Sequence, residues 1–302
     1  MVTSDEELVL QVSGVSESEY EQALLSADAA VQAGEAVAFP TDTVYGVGVD
    51  AFNDEAVSHL RSLRVQDAEV PVTVLISDGS LLRALAVEVP DAANDLIRKH
   101  WPGPLTIICR PQPTLRLGSV IVANTIALRV PDSPIAQDLL RRTGPMAVSS
   151  ANISGLPPSL TCDDALGQLG ANVSVYLDGG RLGDDGQPAS TIVDFTQADH
   201  GQILRRGALS REMLAETLPE IEDLVEDDED EEDPFSPEPD PTEDGVVEVA
   251  DLNLGEVEDE PAEVALVETD SAEVETDSAE VETGDAEDDP ARRAADPADP
   301  KD

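Results

Sequence analysis

An α/β domain over residues 1–215, followed by a disordered acidic tail over residues 216–302, is what this chain predicts. Short apolar, β-branched runs alternate with segments of helical apolar spacing, joined by brief connections rich in Gly, Pro, Asp and Ser. Clusters of small polar residues recur at the ends of the apolar runs, where α/β domains place ligands. The charge is also partitioned. Of the chain's net −48, residues 216–302 account for −34, with 37 acidic against 3 basic side chains. That leaves −14 on a first part rich in Ala, Val, Leu and Ile, long enough to bury a full core.

Within residues 16–32, Tyr20, Leu24, Ala27, Ala30 and Val31 recur at helical spacing, and Gly34 stands where a helix ends. Residues 36–39 form a short buried strand that enters a turn at Pro40. The turn sets Thr41, Asp42, Thr43 and Tyr45 within five residues and closes on Gly46 and Gly48. Asn53 caps a second helix carrying Ala56, Leu60 and Leu63, which ends around residues 64–67, and residues 70–76 form the next strand. Pro90 and Asp91 open a helix to His100, stopped by Trp101-Pro102-Gly103-Pro104. Residues 105–109 and 124–130 are strands. Ser133 caps a helix over 134–142, with Pro134 in the first turn, where its missing N–H is not needed. Strands at 146–148, 173–177, 190–194 and 202–205 complete the domain, and Ser210 caps a last helix. Connection lengths do not order the strands.

Beyond Leu218 the periodicity vanishes. Residues 220–233 are nearly all carboxylate, and residues 234–241 are Pro-rich. A heptad, Thr-Asp-Ser-Ala-Glu-Val-Glu at 269–275, recurs at 276–282, but one valine per repeat leaves no second seam position for a coiled coil. Such a segment cannot bury enough apolar surface to offset its ordering entropy.

Cys109 and Cys162 are isolated and lack metal-ligand spacing, which suits packing roles in a reducing compartment. With no apolar run long enough to span a bilayer, a cytoplasmic protein without membrane contact is expected. Three dispersed histidines, His59, His100 and His200, do not suit a histidine-built metal site.

Four polar clusters lie at strand ends: Thr41/Asp42/Thr43/Tyr45, Thr125 with Arg129, Ser149/Ser150/Asn152, and Ser190/Thr191 with Arg205. None offers a Ser/His/Asp or Cys/His nucleophile, and neither a Walker A loop nor a G-x-G-x-x-G cradle occurs. Arginine grips carboxylate or phosphate through two donors, and hydroxyls and amides orient them. The residues themselves therefore suit a site that positions an anionic or zwitterionic substrate without covalent catalysis.

Five segments carry a resemblance. Phe39-Pro-Thr-Asp-Thr-Val-Tyr-Gly46, His100-Trp-Pro-Gly-Pro-Leu-Thr106, Thr125-Ile-Ala-Leu-Arg-Val-Pro131, Ser150-Ala-Asn-Ile-Ser-Gly155 and Ser190-Thr-Ile-Val-Asp194 follow the order and spacing of the YrdC-domain family. That family comprises the threonylcarbamoyl-AMP synthases of tRNA modification, and the likeness spans about residues 16–215. It implies a twisted mixed sheet with flanking helices around a concave cavity. It also implies a reaction joining L-threonine, bicarbonate or CO2, and ATP into threonylcarbamoyl-AMP and pyrophosphate, with Mg²⁺ expected beside the triphosphate. A separate tRNA threonylcarbamoyl-transferase complex would take the product.

By motif position, the resemblance places Thr41, Tyr45, Arg129, Ser150 and Ser190 at threonine, with Arg129 on its carboxylate. It places Thr125, Asn152 and Arg205 at the nucleotide, and Ser150 with Asn152 in an element spanning both substrates. Asp42 is expected to brace the turn, and Trp101 with its prolines to stop a helix and anchor the core. The family's Lys-x-Arg after the second helix is here Arg64-Val65-Gln66, so Arg64 alone keeps a charge for the phosphates and a catalytic role. Leu75 replaces a histidine common in the family. Arg61 and Lys99 are candidate substitutes for the missing charge. Two other readings stay open, a catalytically weak paralogue and an RNA-binding module. The acidic balance argues against strong direct nucleic-acid binding. Replacing Gln66→Arg is expected to speed turnover in a steady-state pyrophosphate-release assay. A charge-assisted transition-state contact is worth about 2.7–4 kcal/mol, a ceiling of about a thousandfold.

Overall fold

The computed structural model describes residues 8–63, 72–184 and 186–225. In chain order its elements are β1 (Leu8–Gln11), α1 (Glu17–Gln32), β2 (Val37–Pro40), β3 (Tyr45–Asp50), α2 (Asp54–Leu63), β4 (Thr73–Leu75), α3 (Leu82–Leu85), β5 (Ala86–Val87), α4 (Asp91–His100) and β6 (Leu105–Pro111). There follow β7 (Ile126–Arg129), α5 (Pro134–Thr143), β8 (Met146–Ser150), α6 (Cys162–Leu169), β9 (Val175–Asp178), β10 (Thr191–Asp194), β11 (Gln202–Arg205), α7 (Arg211–Ala215) and β12 (Glu222–Asp223). The strands form one mixed sheet in the order β1-β9-β2-β3-β8-β4-β7-β6-β10-β11-β12, with β5 paired to β6. Antiparallel pairs such as β3/β8 and β6/β7 alternate with parallel ones such as β4/β7 and β6/β10. The expected α/β class with flanking helices is what forms.

Local chemistry sets the helix starts. Ser16 caps α1 through a reciprocal box with Glu19: its hydroxyl accepts the Glu19 N–H at 3.3 Å, and its own N–H donates to the Glu19 carboxylate at 2.9 Å. Asn53 accepts the Ala56 N–H at 3.0 Å at the head of α2. Ser133 does the same for α5, and its hydroxyl also donates to the Pro40 carbonyl at 3.0 Å, tying that helix to the end of β2. Thr161 and Asp164 form a second reciprocal box on α6, a helix that the apolar spacing did not announce.

Strand alternation divides the apolar residues into two cores. Val37, Phe39, Leu75, Met146, Val148, Val175 and Leu177 face α1 and α5. Ala38, Val47, Val74, Ala147, Tyr176, Leu128, Ile107 and Val193 face the other way, into the larger core that also holds side chains of α2, α4, α6 and α7. Packing of α1 and α5 is against β2, β3 and β9. Farther along the same face, the side chains of β4, β7, β6, β10 and β11 line a cavity instead of packing under a helix. That uncovered stretch is the concave side of the domain.

Residues 45–50, read as the tail of a turn, form β3. Gly46 and Gly48 make this possible rather than break it. A Cβ on Gly46 would lie 2.9 Å from Val148 Cγ1, and one on Gly48 2.8 Å from Val148 Cγ2, so β8 closes over β3 only without those side chains.

The fold continues past residue 215. Ile221 is 1% exposed, and β12 runs parallel to β11 with the Leu224 N–H donating to the Ile203 carbonyl at 3.1 Å. Residues 226–302, which hold most of the expected tail, lie outside the described residues. A chain ending after Val225 is expected to melt with the full-length protein. One ending after Ala215 loses the burial of Ile221, worth about 2 kcal/mol, and should melt about 4–8 °C lower in a thermal scan.

Candidate active site

The cavity encloses about 320 Å³, at the low end of ligand pockets. Its floor is apolar: Leu75, Ile108, Ala127, Val148, Ile192 and Leu204. Its polar groups come from strand ends: Thr41 and Thr43 after β2, Arg129 at the end of β7, Ser149 and Ser150 at the end of β8, Ser190 before β10, and Arg205 at the end of β11. Of the residues singled out from sequence, Thr41, Arg129, Ser150, Ser190 and Arg205 are thus brought together.

Arg129 is the most constrained of them, at 6% exposed. Its Nε donates to the Gly103 carbonyl at 3.1 Å, and Nη2 donates to Asp42 at 2.5 Å; both terminal nitrogens reach Thr43 Oγ1 at 3.3 Å. Burial pushes the guanidinium below its ordinary pKa, and the Asp42 carboxylate pulls in the other direction. Asp42 therefore does more than brace its turn. It is the counter-charge of Arg129, with a side chain only 12% exposed.

Thr41 is placed differently from the expectation of a free contact. Its hydroxyl donates to the Val44 carbonyl at 2.6 Å and accepts the N–H groups of Thr43 and Val44 at 3.2 and 3.3 Å. The turn itself uses the proton. Thr43 is held in the same way, its hydroxyl 3.1 Å from Thr41 Oγ1 and accepting from Arg129 at 3.3 Å. Gln187 holds the same turn from outside, donating to the Thr43 carbonyl at 2.8 Å.

Tyr45, Thr125 and Asn152 do not line the cavity. Tyr45 is fully buried; its phenol donates to the Gly180 carbonyl at 2.7 Å and accepts the Gly179 N–H at 3.1 Å, and burial raises its pKa. It props the loop after β9 against β3. Thr125 donates to the Val122 carbonyl at 2.7 Å, closing the turn into β7. Asn152 donates to the carbonyls of Ile153 and Leu156 at 2.9 and 2.8 Å and shapes the loop after β8. These are strand-end residues that fold the rim.

Arg64, with Val65 and Gln66, lies outside the described residues. The proposed substitutes do not reach the cavity wall. Arg61 is buried and donates to the Ser119 carbonyl at 3.0 Å, and Lys99 pairs with Glu216 at 2.9 Å on the surface. Trp101 donates its indole N–H to the Leu105 carbonyl at 2.7 Å and packs on the larger core, consistent with an anchor. Among the described residues, Arg129 and Arg205 are the cationic side chains of the cavity wall. Two residues were named in the sequence without being given a role. Thr43 was one hydroxyl among several in its turn, and Thr106, 2.9 Å from Ser190 Oγ, sits inside β6 where a β-branched residue passes for packing.

Comparison with known proteins bears on the chemistry. A family model described as "Telomere recombination", that of the Sua5/YciO/YrdC proteins, matches residues 29–207. The chain belongs to this family. A Mycobacterium tuberculosis protein carrying the provisional name threonylcarbamoyl-AMP synthase is 45% identical over 195 residues, covering 65% of this chain and 88% of that protein. The threonylcarbamoyl-AMP synthase of Bacillus subtilis is 34% identical over 197 residues, covering 63% of this chain and 55% of its own. Among solved structures, Sua5 of Pyrococcus abyssi complexed with L-threonine superposes with a TM-score of 0.64 at 28% identity, covering 72% of this chain and 62% of that one.

For this family member, the Asp42–Arg129 pair makes a clear demand. Replacing Asp42→Ala leaves a buried guanidinium without its counter-charge, which is expected to cost about 3–5 kcal/mol in a urea unfolding titration.

Proposed function

We propose that this chain is a threonylcarbamoyl-AMP synthase, joining L-threonine, bicarbonate or CO2, and ATP, and releasing pyrophosphate. This is the first step of threonylcarbamoyladenosine formation in tRNA. The observation that carries the reading is the convergence of two arginines and a set of hydroxyls on one cavity with an apolar floor and, among the described residues, no hydroxyl activated by a general base on its wall. A site without an activated nucleophile of its own suits a reaction in which the substrate supplies one. The unprotonated amine of threonine adds to CO2 and sheds a proton to give a carbamate. A carbamate oxygen then attacks the α-phosphorus of ATP, and the bond to pyrophosphate breaks.

The protein's part is proximity and charge. Arg129, fixed by Asp42 and Gly103, takes the threonine carboxylate through its remaining donor capacity, with Thr43 beside it. Ser190 and Ser150 complete the polar wall, and Arg205 faces the nucleotide. Arg64 is proposed for the phosphates and the transition state. Thr41, Tyr45, Thr125 and Asn152 act by holding the rim that aims these groups. Among the described residues the cavity wall offers no carboxylate to a cation, so Mg²⁺ is proposed to arrive as MgATP, bound through the phosphates. No described helix is long and apolar enough to cross a membrane, and a cytoplasmic enzyme handing its product to a tRNA-modifying complex fits that chemistry.

An RNA-binding role is less favoured. Outside the cavity, Arg98, Lys99, Arg141, Arg142 and Arg206 each pair with a carboxylate, which leaves those five cations no net positive footprint. Purified protein given ATP is expected to release pyrophosphate only when threonine and bicarbonate are both present. Release that ignores threonine, or none at all, would overturn the reading.

A further inference from the structure

At the polar end of the cavity, one hydroxyl has its hydrogen bonding settled by its neighbours. Ser190 Oγ lies 3.0 Å from Arg205 Nη2, and a guanidinium can only donate. Arg205 also grips the Ser190 carbonyl through Nε at 3.1 Å and Nη2 at 2.9 Å, so the two residues are held as a unit. On the other side, Thr106 Oγ1 lies 2.9 Å from Ser190 Oγ. Thr106 is fully buried in β6, directly across from β10, and Ser190 Oγ is the partner of its hydroxyl among the described residues. Were Thr106 the acceptor, its own proton would be buried without an oxygen to receive it, which folded proteins avoid. Thr106 therefore donates.

A serine hydroxyl has two acceptor lone pairs and one proton. Arg205 and Thr106 occupy both lone pairs. What remains is the O–H, on a residue that lines the cavity. A hydroxyl in that state has nothing to offer an ammonium and favours an anionic oxygen. Ser190 and Arg129 line the same cavity, and both are tied to one short segment: the Thr191 N–H donates to the Pro104 carbonyl at 2.9 Å, and Arg129 Nε donates to the Gly103 carbonyl at 3.1 Å.

We propose that Thr106 is a positioning residue. It acts through Ser190, whose O–H it commits, together with Arg205, as a donor to the threonine carboxylate shared with Arg129. This rests on the threonine-activating function argued above.

Thr106→Val keeps the shape of the side chain and removes the donor, freeing a lone pair on Ser190. The expected result is a rise of about five- to tenfold in both the KM and the calorimetric Kd for threonine. The KM for ATP and the melting temperature should stay close to wild type, and Thr106→Ser should restore threonine binding. In a Ser190→Ala background, Thr106→Val should add nothing further. Effects of the two substitutions that multiply, a change confined to ATP, or no rescue by Thr106→Ser would overturn the proposal. Threonine binding by wild type that Thr106→Val leaves unchanged overturns the proposal alone. No threonine binding by wild type overturns it together with the synthase reading.

Discussion

The polar end of this cavity depends on a single buried cation. Arg129 stands at the end of β7, and taking a guanidinium out of water costs several kcal/mol unless its donors are met. Two separate stretches of chain meet them. Asp42 and Thr43 come from the turn after β2, Gly103 from the segment that stops α4, and β7 supplies the arginine itself. The turn is further locked by Thr41 folding its hydroxyl onto Val44 and by Gln187 gripping its carbonyls. The outcome is a guanidinium whose plane and position are set before any ligand arrives, the condition under which electrostatic stabilisation is most effective.

A second constraint is the uneven cover of the sheet. One face is packed from β9 to β11, and the other is covered by α1 and α5 over β2, β3 and β9, leaving β4, β7, β6, β10 and β11 to line a concavity. Strand alternation then dictates its lining. Ile108, Ala127 and Ile192 point in because Ile107, Leu128 and Val193 point out into the packed core. An apolar floor lowers the local dielectric, which strengthens each contact made by Arg129 and Arg205 with an anion. The glycines of β3 belong to the same design, since Val148 reaches the cavity floor only because Gly46 and Gly48 leave it room.

What could be read from the sequence was local, and what could not was contact across distance. Caps at Asn53, Ser133 and Ser210 were visible because each acts within four residues of itself. The cavity residues Arg129, Ser150, Ser190 and Arg205 were visible because they sit at strand ends in recurring motifs. Tyr45, Thr125 and Asn152 share those motifs, yet their partners turn them into the rim, a distinction no spacing encodes. β3 was missed because glycine lowers strand propensity unless a neighbouring strand must come close, and the neighbour here, Val148, lies a hundred positions beyond Gly48. The same holds for Asp42 with Arg129, paired across 87 residues, and for Thr106 with Ser190 across 84.

Charge gives the last step of the argument. Residues 1–215, of net −14, run on into an acidic segment and together are a poor surface for a triphosphate at long range. At physiological ionic strength, however, surface charge is felt over only about 8 Å, so the cavity's own groups decide binding once the ligand is inside. Two arginines are a small complement for a threonine carboxylate and three phosphates. Arg129 spends part of its charge on Asp42, and Arg205 spends donors on Ser190. The proposed reaction therefore assigns the phosphate end to MgATP's own cation and to the Arg64-Val65-Gln66 segment. On the proposed reading, threonine recognition belongs to the strand ends that hold Arg129, Ser150 and Ser190, and activation to a segment where an amide replaces one charge of the family pattern.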